Sequence, residues 1–281
     1  PNLKEAEKIE LAIKDAKFVI DSIKKVERSG KPRAPFTTSS LQQDASSRIR
    51  FNPSRTMAVA QQLFQGLDFG SGEEGLITYM RTDSTILSQD SLNEIENHVK
   101  SSFGDNYHEF RKYTTKATNA QEAHEAIRPT SIKRTPDSIK QYLDDDQFKL
   151  YDLIWRRTVA SQMSNSRTEK TTITVSTVAS GKLDDSYSFK TEADNLIFDG
   201  FKKLFPDKKD IDMPNIDEGT EVDLNKSEKE QKFTQGPPRY SEASLIKAME
   251  DLGVGRPSTY ASVIKVIKDK RYVWAINRSM Y

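Results

Sequence analysis

Apolar residues recur at three- and four-residue intervals through much of the chain, which is the periodicity of amphipathic helices. This spacing predicts a helix over about the first sixteen residues and five more helices before residue 168. The first of the five runs from about Leu41 toward Arg48, with Ser39 or Ser40 as its cap. The second begins at Asn52-Pro53 and ends before Gly66, and the third begins at Ser88 and ends at Gly104. The last two begin at Thr135-Pro136 and at Asp145 or Asp146. The middle of the chain is therefore expected to be mostly helical.

Strand-like sequence lies on both sides of this helical block. Phe18 to Val26 is predicted to be a strand. Lys170 to Ala179 alternates apolar and polar residues, Ser180-Gly181 provides a turn, and Ser186 to Phe198 and Glu221 to Leu224 continue the strand pattern. The order favours a β domain that is interrupted by a helical insertion.

Helical periodicity returns after Pro238. Ser241 is predicted to cap one helix that ends at Gly253, and Pro257-Ser258 to begin another. Two short helices joined by a glycine-containing turn resemble a helix-turn-helix, with Arg271 to Trp274 as a candidate wing.

Composition narrows the class of protein. A length of 281 residues favours two or three substructures, and 35% hydrophobic with 30% charged residues fits a multi-lobed soluble chain. The net charge of +1 means that contact with nucleic acid would have to come from local basic clusters. The absence of cysteine excludes disulfides and thiolate zinc sites. We recognise no bilayer-spanning apolar run and no secretory leader, so we expect a cytoplasmic protein with no membrane partner.

Candidate chemistry centres on Tyr79. A short apolar run ends at this tyrosine, and Arg81, Asp83 and three hydroxyl side chains follow, which predicts a brief strand that delivers Tyr79 into a polar turn. A phenol is roughly one part in a thousand ionised at neutral pH, so it needs activation to act as a nucleophile. Arg81 would lie on the same side if the strand continued, where it could lower the phenol pKa or hold a phosphate. The alternative is an ordinary strand aromatic beside a solvated arginine.

Four strings of the sequence resemble motifs of the type IA DNA topoisomerases, and they occur in the family's order. They are Ala34–Gln43 (APFTTSSLQQ), Gly75–Thr85 (GLITYMRTDST), Gln121–Thr130 (QEAHEAIRPT) and Gly253–Ala261 (GVGRPSTYA). Four ordered matches are far more specific than any single one, and they cover most of the chain, roughly from Ala34 to Val273.

The resemblance implies an enzyme that cuts one DNA strand through a 5′-phosphotyrosyl intermediate, passes the other strand and reseals the break. Such an enzyme relaxes negative supercoils without ATP. By position in the motifs, Tyr79 is the nucleophile and Arg81 the cation beside the scissile phosphate. Asp83 is implied to orient Arg81 or neighbouring backbone groups, and His124 to contact the DNA backbone near the active site.

Two of these motif residues have structural alternatives. His124 could instead be a hydrogen-bonded structural histidine. Arg128 is held outside a regular helix by Pro129, and it could contact a DNA phosphate or form an ion pair with Glu122 or Glu125.

The last motif places Arg256, Ser258 and Thr259 at a predicted helix start, where free backbone amides and hydroxyls favour an anion. The resemblance implies that these residues bind phosphates of single-stranded DNA. The alternative is that Ser258 merely caps the helix.

The family also implies Mg²⁺, bound by an acidic Toprim domain that precedes this region. The acidic runs Asp144–Asp146 and Asp210 with Asp212 have the wrong spacing or context and are expected to be a helix cap and a loop. We therefore expect no metal site in this sequence and the Mg²⁺ ligands in a Toprim domain of the parent protein. This piece alone is expected not to relax DNA efficiently. Its expected partners are that Toprim domain and single-stranded or underwound DNA.

The resulting fold class is multi-domain α+β, made of pieces of the type IA toroid. A β-rich arch domain is interrupted by a mainly helical domain carrying the tyrosine, and part of a helical DNA-binding base follows. The expected boundaries are 1–37 (domain II, first part), 38–168 (domain III), 169–233 (domain II, second part) and 234–281 (start of domain IV). The rival function is a non-catalytic module that binds single-stranded DNA through the terminal helix pair.

Overall fold

The chain forms two compact units, described by a computed structural model for residues 2–68, 72–114, 124–178, 186–205 and 216–281. One unit consists of Pro1–Gly30, Ser166–Asp199 and Pro206–Gly236, and the other of Lys31–Asn165, Gly200–Phe205 and Pro237–Tyr281. The first is rich in β structure and the second is mainly helical, so the expected mixture of helices and antiparallel sheet is confirmed. The four segment boundaries stay a prediction.

The helices and strands follow one another along the sequence. In the first half they are α1 Leu3–Ile13, β1 Phe18–Gly30, α2 Thr38–Asp44, α3 Pro53–Gln65, β2 Leu67–Asp68, β3 Glu73–Glu74 and α4 Gln89–Phe103. In the second half they are α5 Pro136–Ile139, α6 Asp145–Ser161, β4 Ser166–Thr177, β5 Ser188–Phe198, β6 Glu221–Val222, α7 Glu242–Asp251, α8 Tyr260–Asp269, β7 Ala275–Ile276 and β8 Ser279–Met280. Within the described ranges, we find no helix with the length and apolar character needed to cross a bilayer.

The β-rich unit is an antiparallel sheet with strand order β5-β4-β1-β6. β1 and β4 pair along their whole lengths, from Phe18 opposite Thr177 to Gly30 opposite Ser166. The predicted strands are therefore confirmed, with somewhat different ends. The Ser180-Gly181 turn lies outside the described residues.

The helical unit has an apolar core to which α6 contributes Tyr151, the largest fully buried side chain among the described residues. Tyr151 and Ile154 on α6 have no exposed surface. α6 begins at Asp145 because the Asp144 carboxylate accepts the backbone N–H groups of Asp146 and Gln147, at 2.9 and 2.8 Å. The helix thus begins at Asp145, one of the two predicted starts, with Asp144 as its cap, so the acidic run serves as a helix cap. Asp210 and Asp212 lie outside the described residues.

The start of α2 differs from the prediction. Thr37, not Ser39 or Ser40, caps this helix, because the side chains of Thr37 and Ser40 exchange hydrogen bonds with each other's backbone N–H. α2 ends at Asp44 and continues as a short π-helical turn, Ala45–Ile49. The earlier start places Ser39 in the first turn of the helix, where it is buried.

The helix pair at the end of the chain also differs in detail. Ser241 caps α7, as predicted. α8 begins at Tyr260 instead of Pro257-Ser258, because the Thr259 hydroxyl accepts the backbone N–H of Arg256 at 2.8 Å and forms a turn ahead of the helix. The hairpin at the predicted wing lies a few residues later than expected: Trp274 exchanges hydrogen bonds with Tyr281, and β7 and β8 pair beyond it.

A buried ion pair joins α2 to α6. Arg157 on α6 donates to the Asp44 carboxylate at 3.0 Å and to the Ala34 carbonyl at 2.7 Å. Its guanidinium also lies 4.6 Å from the centre of the Phe36 ring. Burial lowers the pKa of Arg157 to about 10, so the group is still protonated at neutral pH. The pair therefore fixes the segment that enters α2 against the core.

Replacing Asp44 by alanine is expected to destabilise the helical unit by about 3 to 5 kcal/mol, because Arg157 is left charged and buried without its partner. The free energy of unfolding in urea measures this loss. The matched control is Asp146→Ala, which breaks the more exposed pair with Arg55 and is expected to cost no more than about 1 kcal/mol. Equal losses in the two variants would contradict the prediction.

Candidate active site

The segment that leads to Tyr79 is extended, but it does not form the predicted strand. It makes one β-bridge, between Ile77 and Pro129. The N–H of Thr78 donates to the carbonyl of Arg128 at 2.9 Å, and the N–H of Thr130 to the carbonyl of Leu76 at 2.9 Å. The two hydrogen bonds flank the Ile77–Pro129 pair, and this single bridge takes the place of the predicted strand.

Thr38 holds the residues that follow Tyr79. Its hydroxyl donates to the carbonyl of Met80 at 2.7 Å, and the N–H of Thr82 donates to that same hydroxyl at 2.9 Å. The N–H of Thr38 in turn donates to the Thr82 carbonyl at 2.9 Å. Thr38 is fully buried, so these hydrogen bonds are shielded from water.

Thr78 holds the residue before Tyr79 in the same way. Its hydroxyl donates to the carbonyl of Ala126 at 2.7 Å and accepts the N–H of Arg128 at 3.0 Å. The N–H of Ile127 donates to the Phe36 carbonyl at 2.8 Å. Residues from three of the four motifs therefore meet around the tyrosine.

Side chains alternate along the clamped segment. Met80, Thr82 and Ser84 point into the protein and are buried, whereas Tyr79 has 40% of its surface exposed. Tyr79 and Arg81 line the same cavity, as the alternation of an extended segment requires. This cavity of about 380 Å³ is lined by Tyr79, Arg81, Thr82, Asp83, His124, Arg256, Pro257 and Ser258.

Two rings flank the phenol of Tyr79. The Phe64 ring approaches it edge-on, with centroids 5.4 Å apart, and the His124 ring is tilted against it at 6.3 Å. Phe64 reaches this position because the end of α3 lies against Gly75, where an added Cβ would be 2.7 Å from the Phe64 carbonyl oxygen. The sequence analysis missed Phe64, and its contact with Tyr79 depends on this close backbone approach.

The basic residues of the site differ in their partners. Among the described residues, neither Arg81 nor Arg256 has a carboxylate partner, and the guanidinium of Arg256 donates only to the carbonyl of Gly255, at 2.8 Å. Arg128 instead pairs with Glu125 at 2.6 Å, with 15% of its side chain exposed. The ion-pair alternative for Arg128 is therefore present with Glu125, while Glu122 lies outside the described residues.

Some of the remaining predicted residues line the cavity, and one holds the backbone beside it. Asp83 and Ser258 line the cavity. Thr259 does not line it, because its hydroxyl is engaged with the backbone of Arg256. Sequence analysis did not single out Thr38 and Thr78, although both lie within the motif strings.

The cavity brings together a phenol, two guanidinium groups, an imidazole and one carboxylate. Guanidinium groups without carboxylate partners favour an anion, and they bind phosphate through paired N–H donors. Within the part of the chain that the structure describes, no group of three or more histidine, aspartate or glutamate side chains is arranged to hold a metal ion. The arrangement therefore suits a phosphate beside a tyrosine.

Three comparisons with known proteins identify the family of the chain. A family model described as DNA topoisomerase matches residues 1–281. The DNA topoisomerase 1 proteins of Rickettsia conorii and Rickettsia felis are 43% and 42% identical over 97% of this chain, which spans 36% of the length of each. The solved full-length topoisomerase I of Thermotoga maritima matches with a TM-score of 0.83 and 37% identity, covering 100% of this chain and 45% of that one. The match along the whole chain, with the motifs gathered around Tyr79, shows that this chain belongs to the type IA DNA topoisomerase family.

Proposed function

We propose that this chain carries the strand-cleaving tyrosine of a topoisomerase that cuts and reseals one DNA strand to relax negative supercoils. The observation that supports this most is the cavity in which the half-exposed Tyr79 phenol lies with Arg81 and Arg256. A core tyrosine would have no opening for a DNA phosphate, and the two exposed guanidinium groups have no carboxylate partner among the described residues.

The proposed reaction exchanges one phosphodiester for another. The phenol oxygen of Tyr79 forms a bond to phosphorus while the bond from phosphorus to the 3′ oxygen of the neighbouring nucleotide breaks. The 3′ oxygen leaves as a hydroxyl and takes up a proton in exchange for the one that the phenol loses. Because the 5′-phosphotyrosyl bond conserves the energy of the broken linkage, resealing by the reverse reaction needs no nucleotide cofactor.

The side chains around Tyr79 have separate roles in this proposal. Arg81 stabilises negative charge that develops on the attacked phosphate, and Arg256 with Ser258 holds the DNA backbone on the opposite side of the cavity. His124, whose ring lies against Tyr79, contacts the backbone beside the scissile phosphate. Asp83 orients Arg81. Thr259 supports the loop of Arg256 through its hydrogen bond to that backbone.

The DNA that fits this site is single-stranded or underwound. We propose that a phosphate enters the cavity when its strand is separated locally from its partner, since Phe64 and His124 flank the phenol and narrow the approach to it. Negative supercoiling lowers the cost of that separation. The preference for underwound DNA thus follows from the access that Tyr79 allows.

The metal that this family implies does not fit the described residues. Asp83 is the only carboxylate lining the cavity, and the described residues hold no cluster of three suitable side chains. We propose that Mg²⁺ binds in a Toprim domain of a longer parent protein, and that this chain alone does not relax DNA efficiently. No step above depends on the ion.

The proposal also includes the boundaries of the domain segments and the location of the protein in the cell. Residues 1–37 and 169–233 form the two parts of the β-rich arch, 38–168 the helical domain with Tyr79, and 234–281 the start of the base. We propose a cytoplasmic location, where the chromosome of a bacterium lies.

Replacing Tyr79 by phenylalanine in the parent protein is expected to abolish covalent trapping of a 3′-labelled single-stranded oligonucleotide, because the attacking oxygen is removed. DNA binding is expected to stay within about twofold, since no charge changes. Denaturing gels measure the trapped label, and a filter assay measures binding.

The control for this experiment is Tyr142→Phe, which changes another exposed tyrosine outside the cavity and is expected to leave trapping unchanged. The rival binding module predicts that neither substitution affects any activity of the parent. Full trapping by the Tyr79→Phe protein would therefore favour the rival.

The salt dependence of DNA binding tests the two arginines that the motifs point to. Arg256→Ala is expected to reduce the slope of log K against log salt for single-stranded DNA by about 0.7, the value of one phosphate contact. Arg128→Met is expected to leave the slope unchanged, because Glu125 already neutralises Arg128. A smaller slope with Arg128→Met alone would instead assign the phosphate contact to Arg128.

A further inference from the structure

The cavity at Tyr79 has two walls that come from distant parts of the chain. One wall is the clamped segment with Tyr79 and Arg81, and the other is the loop with Arg256 between α7 and α8. Chemistry at a phosphate between the walls requires that they stay at a fixed separation. The contacts that hold the second wall to the first are therefore part of the site.

One side-chain hydrogen bond joins the elements behind these walls. The hydroxyl of Ser39 on α2 donates to the carboxylate of Glu250 on α7, with an oxygen–oxygen distance of 2.7 Å. The direction of this bond is set by Gln43, whose side-chain amide donates to the same hydroxyl at 2.9 Å and leaves the Ser39 proton for Glu250. A hydroxyl that donates to a carboxylate makes a strong, charge-assisted bond.

The two ends of this hydrogen bond have short connections to the two walls. Ser39 directly follows Thr38, whose hydroxyl and N–H bind the backbone of Met80 and Thr82. Glu250 lies in the last turn of α7, and the loop with Arg256 follows it. Displacement of α7 relative to α2 therefore moves Arg256 relative to Tyr79.

The loop beyond Glu250 exposes Leu252 and Val254, but its Gly255 packs against both helices, which ties the position of the loop to that of α7. Gly255 has a φ of 83°, and an added Cβ there would lie 3.2 Å from the end of Met249 and 3.3 Å from Tyr260. Tyr260 is buried at the start of α8. Gly255 thus joins the loop to the end of α7 and to the start of α8.

The face of α2 that bears Ser39 is suited to a contact that separates and re-forms. Gln42, one turn from Ser39, is fully buried, and neither atom of its amide has a hydrogen-bond partner among the described residues. Water would satisfy that amide if α2 and α7 moved apart, which lowers the cost of separation. Glu250 is exposed and would also be hydrated.

We propose that Ser39 and Glu250 are positioning residues, whose hydrogen bond keeps the Arg256 loop opposite Tyr79 and sets how often the two walls separate. The proposal rests on the proposed function for its consequence, because a closed cavity is needed for Arg256 to bind a phosphate next to Tyr79. Neither residue lines the cavity.

The test measures the separation of the walls without DNA. The chain contains no cysteine, so cysteines introduced at two exposed positions, Asn97 on α4 and Val266 on α8, give two unique spin-label sites. Double electron–electron resonance then reports the distribution of distances between the labels. Ser39→Ala and Glu250→Ala are each expected to shift the ratio of the short to the long distance about tenfold toward the long one.

Two further variants separate positioning from general stability. Glu250→Gln keeps an oxygen that accepts from Ser39, so it is expected to retain the distance distribution of the unaltered chain. Asp251→Asn, which changes the neighbouring carboxylate paired with Lys247 on the exposed face of α7, is also expected to retain it. If Ser39→Ala and Glu250→Ala gave the same distribution as Asp251→Asn, the proposal would be overturned.

The distances between the spin labels are measured without DNA, so their outcome does not depend on DNA cleavage. If Tyr79→Phe in the parent protein trapped DNA normally, the proposed function would fail while the distance result still stood. If the function held, Ser39→Ala in the parent should lower trapping at Tyr79 several-fold and Glu250→Gln should restore it relative to Glu250→Ala. Equal trapping by all these variants would count against the positioning role.

Discussion

The position of Tyr79 depends on hydrogen bonds from two threonine hydroxyls to the backbone on either side of it. Thr78 binds the carbonyl of Ala126 just before the tyrosine, and Thr38 binds the carbonyl of Met80 just after it. Because the segment lacks a strand ladder, these hydroxyls replace the hydrogen bonds that a sheet would supply. They leave the phenol as the part of the residue that faces outward.

The arginines near Tyr79 differ from the other arginines of the helical unit in whether they form ion pairs. The helical unit pairs its buried arginine, Arg157, with Asp44, and it pairs Arg128 with Glu125 close to the site. Arg81 and Arg256 have no carboxylate partner among the described residues, and both line the cavity with the phenol. Both guanidinium groups are exposed, so they remain charged and hydrated and are available to a ligand that brings negative charge. A DNA phosphate is such a ligand.

Local signals in the sequence predicted much of the fold, and contacts between distant residues account for what they missed. The cap at Ser88 and the alternation of apolar and polar residues in the strands of the β-rich unit depend on neighbouring residues, so the sequence alone predicts them. The start of α8 could not be predicted in this way, because the Thr259 hydroxyl accepts the backbone N–H of Arg256 instead of capping the helix. The motifs identified Tyr79 and its cationic neighbours. The ring of Phe64 beside the tyrosine required the tertiary structure, since 15 residues separate the two in the sequence.

The central claim is that Tyr79 is the residue that becomes joined to DNA. The most direct measurement is mass spectrometry of the peptide that carries a nucleotide after the parent protein has been trapped on single-stranded DNA and digested with protease and nuclease. The account predicts a single adduct, on Tyr79, through a 5′ phosphate. An adduct on any other residue of a protein that cleaves DNA, or a 3′-phosphate linkage, would contradict it.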